Sequence, residues 1–160
     1  MKKKTNKHVT LMSNSVHETI AFGKNIASLL KPGMIVGLEG PLGSGKTTLT
    51  KGIVRGLFRT TKVKVTSPSF VLINHYEGVF PVFHIDCYRL DTIKDYEDIG
   101  IDEFLFSKGI SIIEWSEKIK PLLPRDSIFI TVTHKGENKR KIFIKTKNFP
   151  FMTALRKELP

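Results

Sequence analysis

The chain has few of the features that mark secreted, disulfide-stabilised or membrane proteins. Its 160 residues include one cysteine, Cys87, which cannot form an internal disulfide and has no neighbours spaced as zinc ligands. No apolar run approaches the length needed to cross a membrane, and the mean hydropathy is −0.10. The basic residues at the start are followed by polar residues, not by the apolar core of a secretory signal. These absences predict a cytoplasmic protein with no membrane association.

Acidic residues are also scarce. The chain has 15 Asp and Glu against 26 Lys and Arg, a formal net charge of +11. The basic residues gather in three groups, within 2–7, 51–64 and 135–147. An excess of this kind attracts phosphates, but no aromatic-rich RNA-binding signature is interleaved with it. We therefore favour a solvated basic surface, with a direct RNA contact as the alternative.

The length predicts one domain over 1–160, with 1–8 and 149–160 loosely ordered. The first part of the chain has the pattern of a short edge strand over 8–12. A Ser-x-x-Glu capping box at Ser15 then begins a helix with one apolar face, which ends at 31–33. A strand and a helix therefore precede the most informative stretch of the sequence.

That stretch is 40–47, Gly-Pro-Leu-Gly-Ser-Gly-Lys-Thr, which fits the phosphate-loop pattern G-x-x-x-x-G-K-[ST] at every fixed position. It follows a buried strand over 34–39 and precedes a helix over 48–58. The glycines let successive backbone N–H groups point at phosphate oxygens, and the helix N-terminus adds more donors. Lys46 would reach the β- and γ-phosphates, and the Thr47 hydroxyl would ligate Mg²⁺.

The second half of the chain predicts more strands. Segments 70–76 and 79–85 are typical of two strands joined by a tight turn, and 109–113 is typical of a buried strand. Two short acidic helices separated by Gly100 lie between them. Alternation at period two over 126–145 indicates an antiparallel hairpin at the flank of the sheet.

Two of these apolar strands run directly into a carboxylate, Asp86 in one case and Glu114 in the other. Ligands of open α/β sheets bind at the carboxyl ends of the strands, so both acids should face the nucleotide. One acid must hold the cation and one must position or deprotonate the attacking water. We assign Asp86 to the metal and Glu114 to water activation or the outer coordination of the metal, and the reverse assignment stays open.

Other polar residues have two interpretations each. The hydroxyls around Pro68, on Thr66, Ser67 and Ser69, occupy the position of a nucleotide-sensing switch but also suit a plain turn. His84 is more typical of a packing residue than of a ligand. Trp115 would close over the nucleotide, form part of a partner surface, or simply pack in the core.

Four segments together resemble the TsaE family, also called YjeE, of bacterial P-loop ATPases: 42–48, 66–70, 84–90 and 113–115. Their order and spacing cover roughly 10–134. The resemblance implies an α/β fold, a three-layer P-loop NTPase sandwich with a largely parallel central sheet. It implies binding and slow hydrolysis of ATP with Mg²⁺, in a complex with the TsaB and TsaD proteins. There the ATPase would support threonylcarbamoyladenosine modification of tRNA next to the anticodon, with at most an indirect or transient tRNA contact.

The matching motifs imply a specific set of site residues. Catalysis falls to Lys46, Asp86 and Glu114, and the metal to Thr47, Asp86 and Glu114. ATP or ADP would be bound by Leu42, Gly43, Ser44, Gly45, Lys46, Thr47, Thr48, Ser67, Ser69 and Trp115. Pro41 departs from the family pattern, which usually has Asp there, and so removes one backbone donor and one charge beside the phosphates.

Three alternative functions remain at this point. A small P-loop kinase shares the loop but should have a lid with paired arginines, whereas Arg89 is the only arginine between Arg59 and Arg125. A GTPase should have Asn-Lys-x-Asp, and the segment 138–141 lacks the acid. A basic RNA-binding module would use the loop for RNA phosphates, without metal-dependent ATP binding.

Overall fold

The computed structural model of the protein describes residues 8–159, so the predicted loose start lies outside the described residues except for His8. The strands are β1 (His8–Ser13), β2 (Ile35–Glu39), β3 (Ile73–Tyr76), β4 (Val82–Asp86), β5 (Ile110–Glu114), β6 (Ile128–His134) and β7 (Arg140–Thr146). The helices are α1 (Val16–Leu29), α2 (Lys46–Leu57), α3 (Ile93–Asp98), α4 (Ile101–Leu105) and α5 (Phe149–Glu158), and two 3₁₀ turns cover Ser116–Lys118 and Lys120–Leu122. In this part of the chain no helix has the length and apolar character needed to cross a membrane.

The seven strands form one sheet in the order β1-β7-β6-β2-β5-β4-β3. Its centre is parallel, with β2 between β5 and β6 and with β4 beyond β5. The β6–β7 pair is antiparallel, as the alternation over 126–145 predicted, and β1 pairs with β7 at the edge. The predicted α/β sandwich with a flanking hairpin is confirmed.

Apolar side chains fill both faces of this sheet. Successive strand residues point to opposite faces, so Val36 and Leu38 enter one cluster while Ile35 enters the other. The first cluster is covered by α1, α2 and α5, and the second by α3 and α4. This gives three layers and places the carboxyl ends of β2, β4 and β5 at one edge.

Helices α1 and α2 touch backbone to backbone. A Cβ atom at Gly23 would lie 2.5 Å from the Leu49 carbonyl oxygen and 2.7 Å from the Gly52 Cα. A Cβ atom at Gly52 would collide with the Ile20 carbonyl oxygen. Because glycine occupies the crossing on both helices, α1 lies directly against the helix that follows the phosphate loop.

The Ser15 cap is formed as the sequence predicts. The Ser15 hydroxyl accepts from the Glu18 backbone N–H at 3.1 Å. In a standard capping box the Glu18 carboxylate would accept from the Ser15 N–H. Here it accepts from the N–H of the preceding residue, Asn14, at 2.7 Å. Helix α1 therefore starts where expected, with both ends of the motif occupied.

The predicted strand over 70–76 is wrong in its first half. Residues 70–72 form a turn in which the Leu72 N–H donates to the Pro68 carbonyl at 2.6 Å, and Leu72 has a φ of 68°. The partner strand β4 begins at Val82, so the connection is longer than the predicted tight turn at 77–78. Apolar residues at 70–72 mimic a strand, but Phe70 and Val71 are exposed.

The expectation of a loosely held C-terminus is also corrected. Helix α5 places Phe151, Met152 and Leu155 in the first core cluster, and each is at most 3% exposed. Its N-terminus is capped by Asn148, whose side chain accepts from the Phe151 N–H at 3.0 Å. Burial of three large apolar side chains fastens this helix to the sheet.

Candidate nucleotide site

The loop over 40–47 connects β2 to α2 and lies at the carboxyl edge of the sheet, as the pattern predicts. Gly45 has a φ of 110° where α2 begins, a conformation that side-chain-bearing residues rarely adopt. Gly40 has a φ of 137°, and a Cβ there would collide with the Val132 carbonyl oxygen. The glycines are therefore required by the path of the loop and by its contact with β6.

Lys46, the charged residue of the loop, is buried. Its side chain is 4% exposed, and Nζ donates to the carbonyl oxygens of Gly40 at 2.6 Å and Pro41 at 3.0 Å. Nζ also lies 4.0 Å from the centroid of the Trp115 ring. Burial lowers the pKa of Lys46, and nearby carboxylates, chiefly Glu114, act in the opposite direction. The ammonium group is therefore held against the backbone of its own loop.

Asp86 and Glu114 lie side by side. They end the neighbouring parallel strands β4 and β5 and are register partners. Asp86 is 2% exposed and Glu114 is 3% exposed, although two buried carboxylates repel each other unless they are compensated. The Thr47 hydroxyl donates to Glu114 at 2.9 Å from Oε1 and 3.1 Å from Oε2. The fold thus brings together the hydroxyl and the two acids that the sequence separates by up to 67 positions.

His84 contacts Glu114 directly. It lies two residues before Asp86 on β4, is fully buried, and its Nε2 hydrogen-bonds the Glu114 Oε1 at 2.7 Å. Its Nδ1 has no hydrogen-bond partner within 8–159. The sequence interpretation of His84 as a packing residue therefore missed a polar contact. The available signal was the period-two placement of His84 and Asp86 on one face of an otherwise apolar strand.

The segment 66–70 crosses over the acids. The Ser67 hydroxyl donates to Asp86 Oδ2 at 3.0 Å and lies 2.7 Å from the Ser69 hydroxyl. Phe70 follows, 82% exposed, with the Arg89 guanidinium 4.4 Å from its ring centroid. Asp86 therefore faces the serines, while Glu114 faces Thr47 and His84.

Trp115 covers the other side of the site. Its φ of 59° is an unusual conformation for a bulky residue, and such strain persists only where surrounding contacts fix it. The Tyr88 ring lies 4.9 Å away between centroids, and the Lys46 ammonium lies on the same indole. Trp115 is thereby held over the loop as well as beside Glu114.

One cleft of about 480 Å³ joins all these groups. It is lined by Leu42, Gly43, Ser44, Gly45, Lys46, Thr47, Thr48, Ser67, Ser69, Asp86, Glu114 and Trp115, with Phe70, Tyr88 and Arg89. All the residues implied for the site thus lie together. Arg140 of β7, which the sequence interpretation did not assign, supports the loop from outside, because its Nε donates to the Ser44 carbonyl at 2.7 Å.

The residues fit a nucleotide phosphate with Mg²⁺. The Ser44 hydroxyl is buried in the loop with no hydrogen-bond partner in the described chain, so a donor is left for an anion. Thr47 and the two carboxylates offer the oxygen ligands that Mg²⁺ prefers. Among 8–159, no three His, Cys, Asp or Glu side chains form a self-sufficient metal site. Mg²⁺ is usually held by one or two carboxylates together with substrate phosphates, and Asp86 and Glu114 both line this cleft.

Comparisons with known proteins concern the family and the fold. The family model described as "Threonylcarbamoyl adenosine biosynthesis protein TsaE" matches residues 13–142. The tRNA threonylcarbamoyladenosine biosynthesis protein TsaE of Bacillus subtilis is 40% identical over 126 residues, covering 78% of this chain and 77% of that protein. The protein of the same name from Treponema pallidum is 34% identical over 133 residues, covering 83% and 97%. The crystal structure of Bacillus subtilis YdiB superposes with a TM-score of 0.77 at 31% identity, covering 95% and 94%.

Proposed function

The chain belongs to the TsaE family, which takes part in tRNA threonylcarbamoyladenosine biosynthesis, and we propose that it does so as an ATPase that binds and hydrolyses Mg-ATP. One observation carries the proposal. The ammonium of Lys46, the hydroxyl of Thr47 and the carboxylates of Asp86 and Glu114 line a single cleft at the end of a phosphate loop. This set suits polyphosphate chemistry, which depends on positioning and charge stabilisation.

Each group has a role in binding. The loop amides and the N-terminus of α2 hold the β- and γ-phosphates, and Lys46 turns from its own loop carbonyls toward them. Thr47 and Asp86 would hold Mg²⁺, with Glu114 in its outer coordination, and the bound ion would neutralise charge on the phosphates. ADP would occupy the same loop, since the β-phosphate contacts are retained.

Hydrolysis requires a positioned water. The water oxygen attacks the γ-phosphorus, the bond from that phosphorus to the β–γ bridging oxygen breaks, and the water proton is given up. Glu114 positions this water or accepts its proton, while His84 fixes the Glu114 carboxylate through the 2.7 Å contact. Asp86, held by Ser67, remains on the metal side, and the exchange of these two roles is the alternative assignment.

The proposal includes partners. The family resemblance implies a complex with TsaB and TsaD in which the transfer of the threonylcarbamoyl group belongs to TsaD and not to this chain. A protein contact beside the cleft is supported by Leu42 and Phe70, which line it and are 76% and 82% exposed, and by Val71, which follows Phe70 in the chain and is 67% exposed. Adjacent exposed apolar side chains beside a site are typical of an interaction surface.

The test is an ATPase assay with the protein alone and with purified TsaB and TsaD, together with Mg-ATP titration. We expect metal-dependent ATP binding, slow turnover alone and strong stimulation in the mixture. Glu114→Ala should keep ATP affinity within a few-fold and lower turnover at least about 100-fold. Unchanged turnover in this variant would remove Glu114 from the mechanism.

Two other results would favour the alternatives. Phosphoryl transfer to an added small-molecule acceptor, without stimulation by the partners, would indicate a kinase. RNA binding without metal-dependent ATP binding would indicate a non-enzymatic RNA-binding module.

A further inference from the structure

A second cleft lies at the far end of α2. It has a volume of about 550 Å³ and is lined by Lys24, Arg55, Arg59, Thr60, Thr61 and Lys62, with Gly56 at its base. Lys46 and Arg55 are nine residues apart, which is about 14 Å along a helix axis. The cleft is therefore separate from the nucleotide site.

The fold builds this cleft from two helices and a connector. A Cβ at Gly56 would lie 2.6 Å from the Ala27 Cβ and 3.0 Å from the Lys24 Cα, so α1 and α2 are in contact there. The Arg55 Nε donates to the Val63 carbonyl at 3.3 Å, which ties its guanidinium to the connector after the helix. Three parts of the backbone thus bring four cations to one place.

In the described part of the chain these cations are not paired with acids. The segments 19–38 and 40–76 contain no Asp or Glu. Within 8–159, none of the ion pairs includes Lys24, Arg55, Arg59 or Lys62. Three lysines elsewhere do have an acidic partner, namely Lys94 with Asp98, Lys118 with Asp91 and Lys120 with Glu39. The cleft is thus a concentration of uncompensated positive charge.

Such a concentration destabilises the folded protein unless an anion is bound. The negative end of the α2 dipole favours cations in the last turn, but the effect falls off within that turn and does not account for Lys24 on α1. Cations combined with threonine hydroxyl donors are the groups that contact nucleic-acid phosphates. The lining has no apolar side chain, whereas binding in a membrane interface requires an apolar face to insert.

We propose that this cleft binds the phosphate backbone of RNA, and that it gives the protein a direct contact with tRNA. The choice of RNA rests on the chemistry of the cleft and on the tRNA modification pathway named for the relatives. We expect the contact to persist without ATP hydrolysis, because the two clefts lie at opposite ends of α2 and share no lining residue.

The experiment is a fluorescence anisotropy titration of a 5′-fluorescein-labelled unmodified tRNA transcript with the full-length protein at several salt concentrations. The test variant is Arg59→Glu with Lys62→Glu. The control variant, Lys145→Glu with Lys147→Glu, makes the same charge change on exposed lysines at the end of β7. We expect the test variant to bind at least about tenfold more weakly and its salt slope to be shallower by about 2, since two phosphate contacts are lost. The control should change affinity less than about threefold.

Three results would overturn the proposal. These are no binding of the transcript by the unaltered protein, equal losses in both variants, or binding of vesicles containing 30% phosphatidylserine through Arg59 and Lys62 without binding of the transcript. Mg-ATP binding and the melting temperature of the test variant check that it is folded. If it is not, Lys24→Gln with Lys62→Gln, both on exposed positions, replaces it with the same expected direction of change. ATPase activity should be retained by either variant, so failure here is distinguishable from failure of the ATPase proposal.

Discussion

The two ends of helix α2 carry the same sign of charge but are built differently. At the N-terminal end, Lys46 is buried, donates to two loop carbonyls and lies in the same cleft as two carboxylates. At the C-terminal end, Arg59 and Lys62 are exposed and have no acidic partner within 8–159. One end is a confined and compensated site, and the other is an open and uncompensated surface.

This difference indicates two kinds of binding. A buried cation binds a ligand strongly in one geometry only, because desolvation strengthens each interaction that is made and leaves little room for other arrangements. Exposed cations bind many arrangements of phosphate, and salt weakens that binding steeply. Substitutions at the two ends should therefore have different effects on nucleotide binding.

The largest contrast is expected from Lys46→Ala against Lys62→Ala. Loss of the confined ammonium should weaken Mg-ATP binding by about 100-fold or more, because a charge-assisted hydrogen bond to the phosphates is removed. Lys62→Ala should leave Mg-ATP affinity within about twofold. Isothermal titration calorimetry measures both. Similar affinities in the two variants would show that Lys46 does not contact the nucleotide, and the comparison would fail.

An intermediate effect is expected from His84, which acts through Glu114. His84→Asn should lower turnover about tenfold with little change in ATP affinity, because an outer partner that orients a ligand is lost. His84→Gln is the matched variant, since its longer amide can reach the place of Nε2 and should restore part of the rate. A structural role alone would lower the melting temperature in both variants without separating their rates. Equal rates in the two variants would contradict the positioning role.

The smallest effect is expected from pH. Burial lowers the pKa of Lys46 in the free protein, and bound phosphates favour its charged form. ATP affinity should therefore be greatest below the pKa of the free protein and should decrease as pH rises through it, earlier than for an exposed lysine. Between pH 7 and pH 9 we expect a loss of about threefold or less, measured by calorimetry.

Lys46→Arg provides the control for this prediction, because a guanidinium stays charged over the whole range. Its affinity, although lower, should not vary with pH beyond the variation of Mg-ATP itself. An identical pH profile in both proteins would assign the dependence to another group.

The central fold could be predicted because each element has its own local signal. The loop over 40–47 has a fixed pattern, Ser15 caps a helix, and β5 is a mostly apolar run that ends at Glu114. The loop, Asp86 and Glu114 were identified from the same signals. The parallel arrangement then follows, because βαβ connections place strand ends at a common edge.

The sequence-based predictions failed where the same local pattern is compatible with two structures. Residues 70–72 are apolar and suit a strand, yet they form a turn because Leu72 bonds back to Pro68. The C-terminal helix has a modest apolar pattern. Phe151 is buried because the helix covers an apolar face of the sheet, which the pattern of the helix alone does not reveal. His84 is polar in an apolar strand, and its partner lies 30 positions away.

Short-range patterns of apolar and special residues are enough to predict a phosphate loop between a strand and a helix, and two acids at the ends of two other strands. The fold as a whole settled which residues became neighbours. It set Asp86 beside Glu114, turned Thr47 and His84 toward the same carboxylate, and brought Lys24 to the end of α2. Strand order and helix crossing depend on burial and close packing summed over the whole chain, and no short segment contains that information.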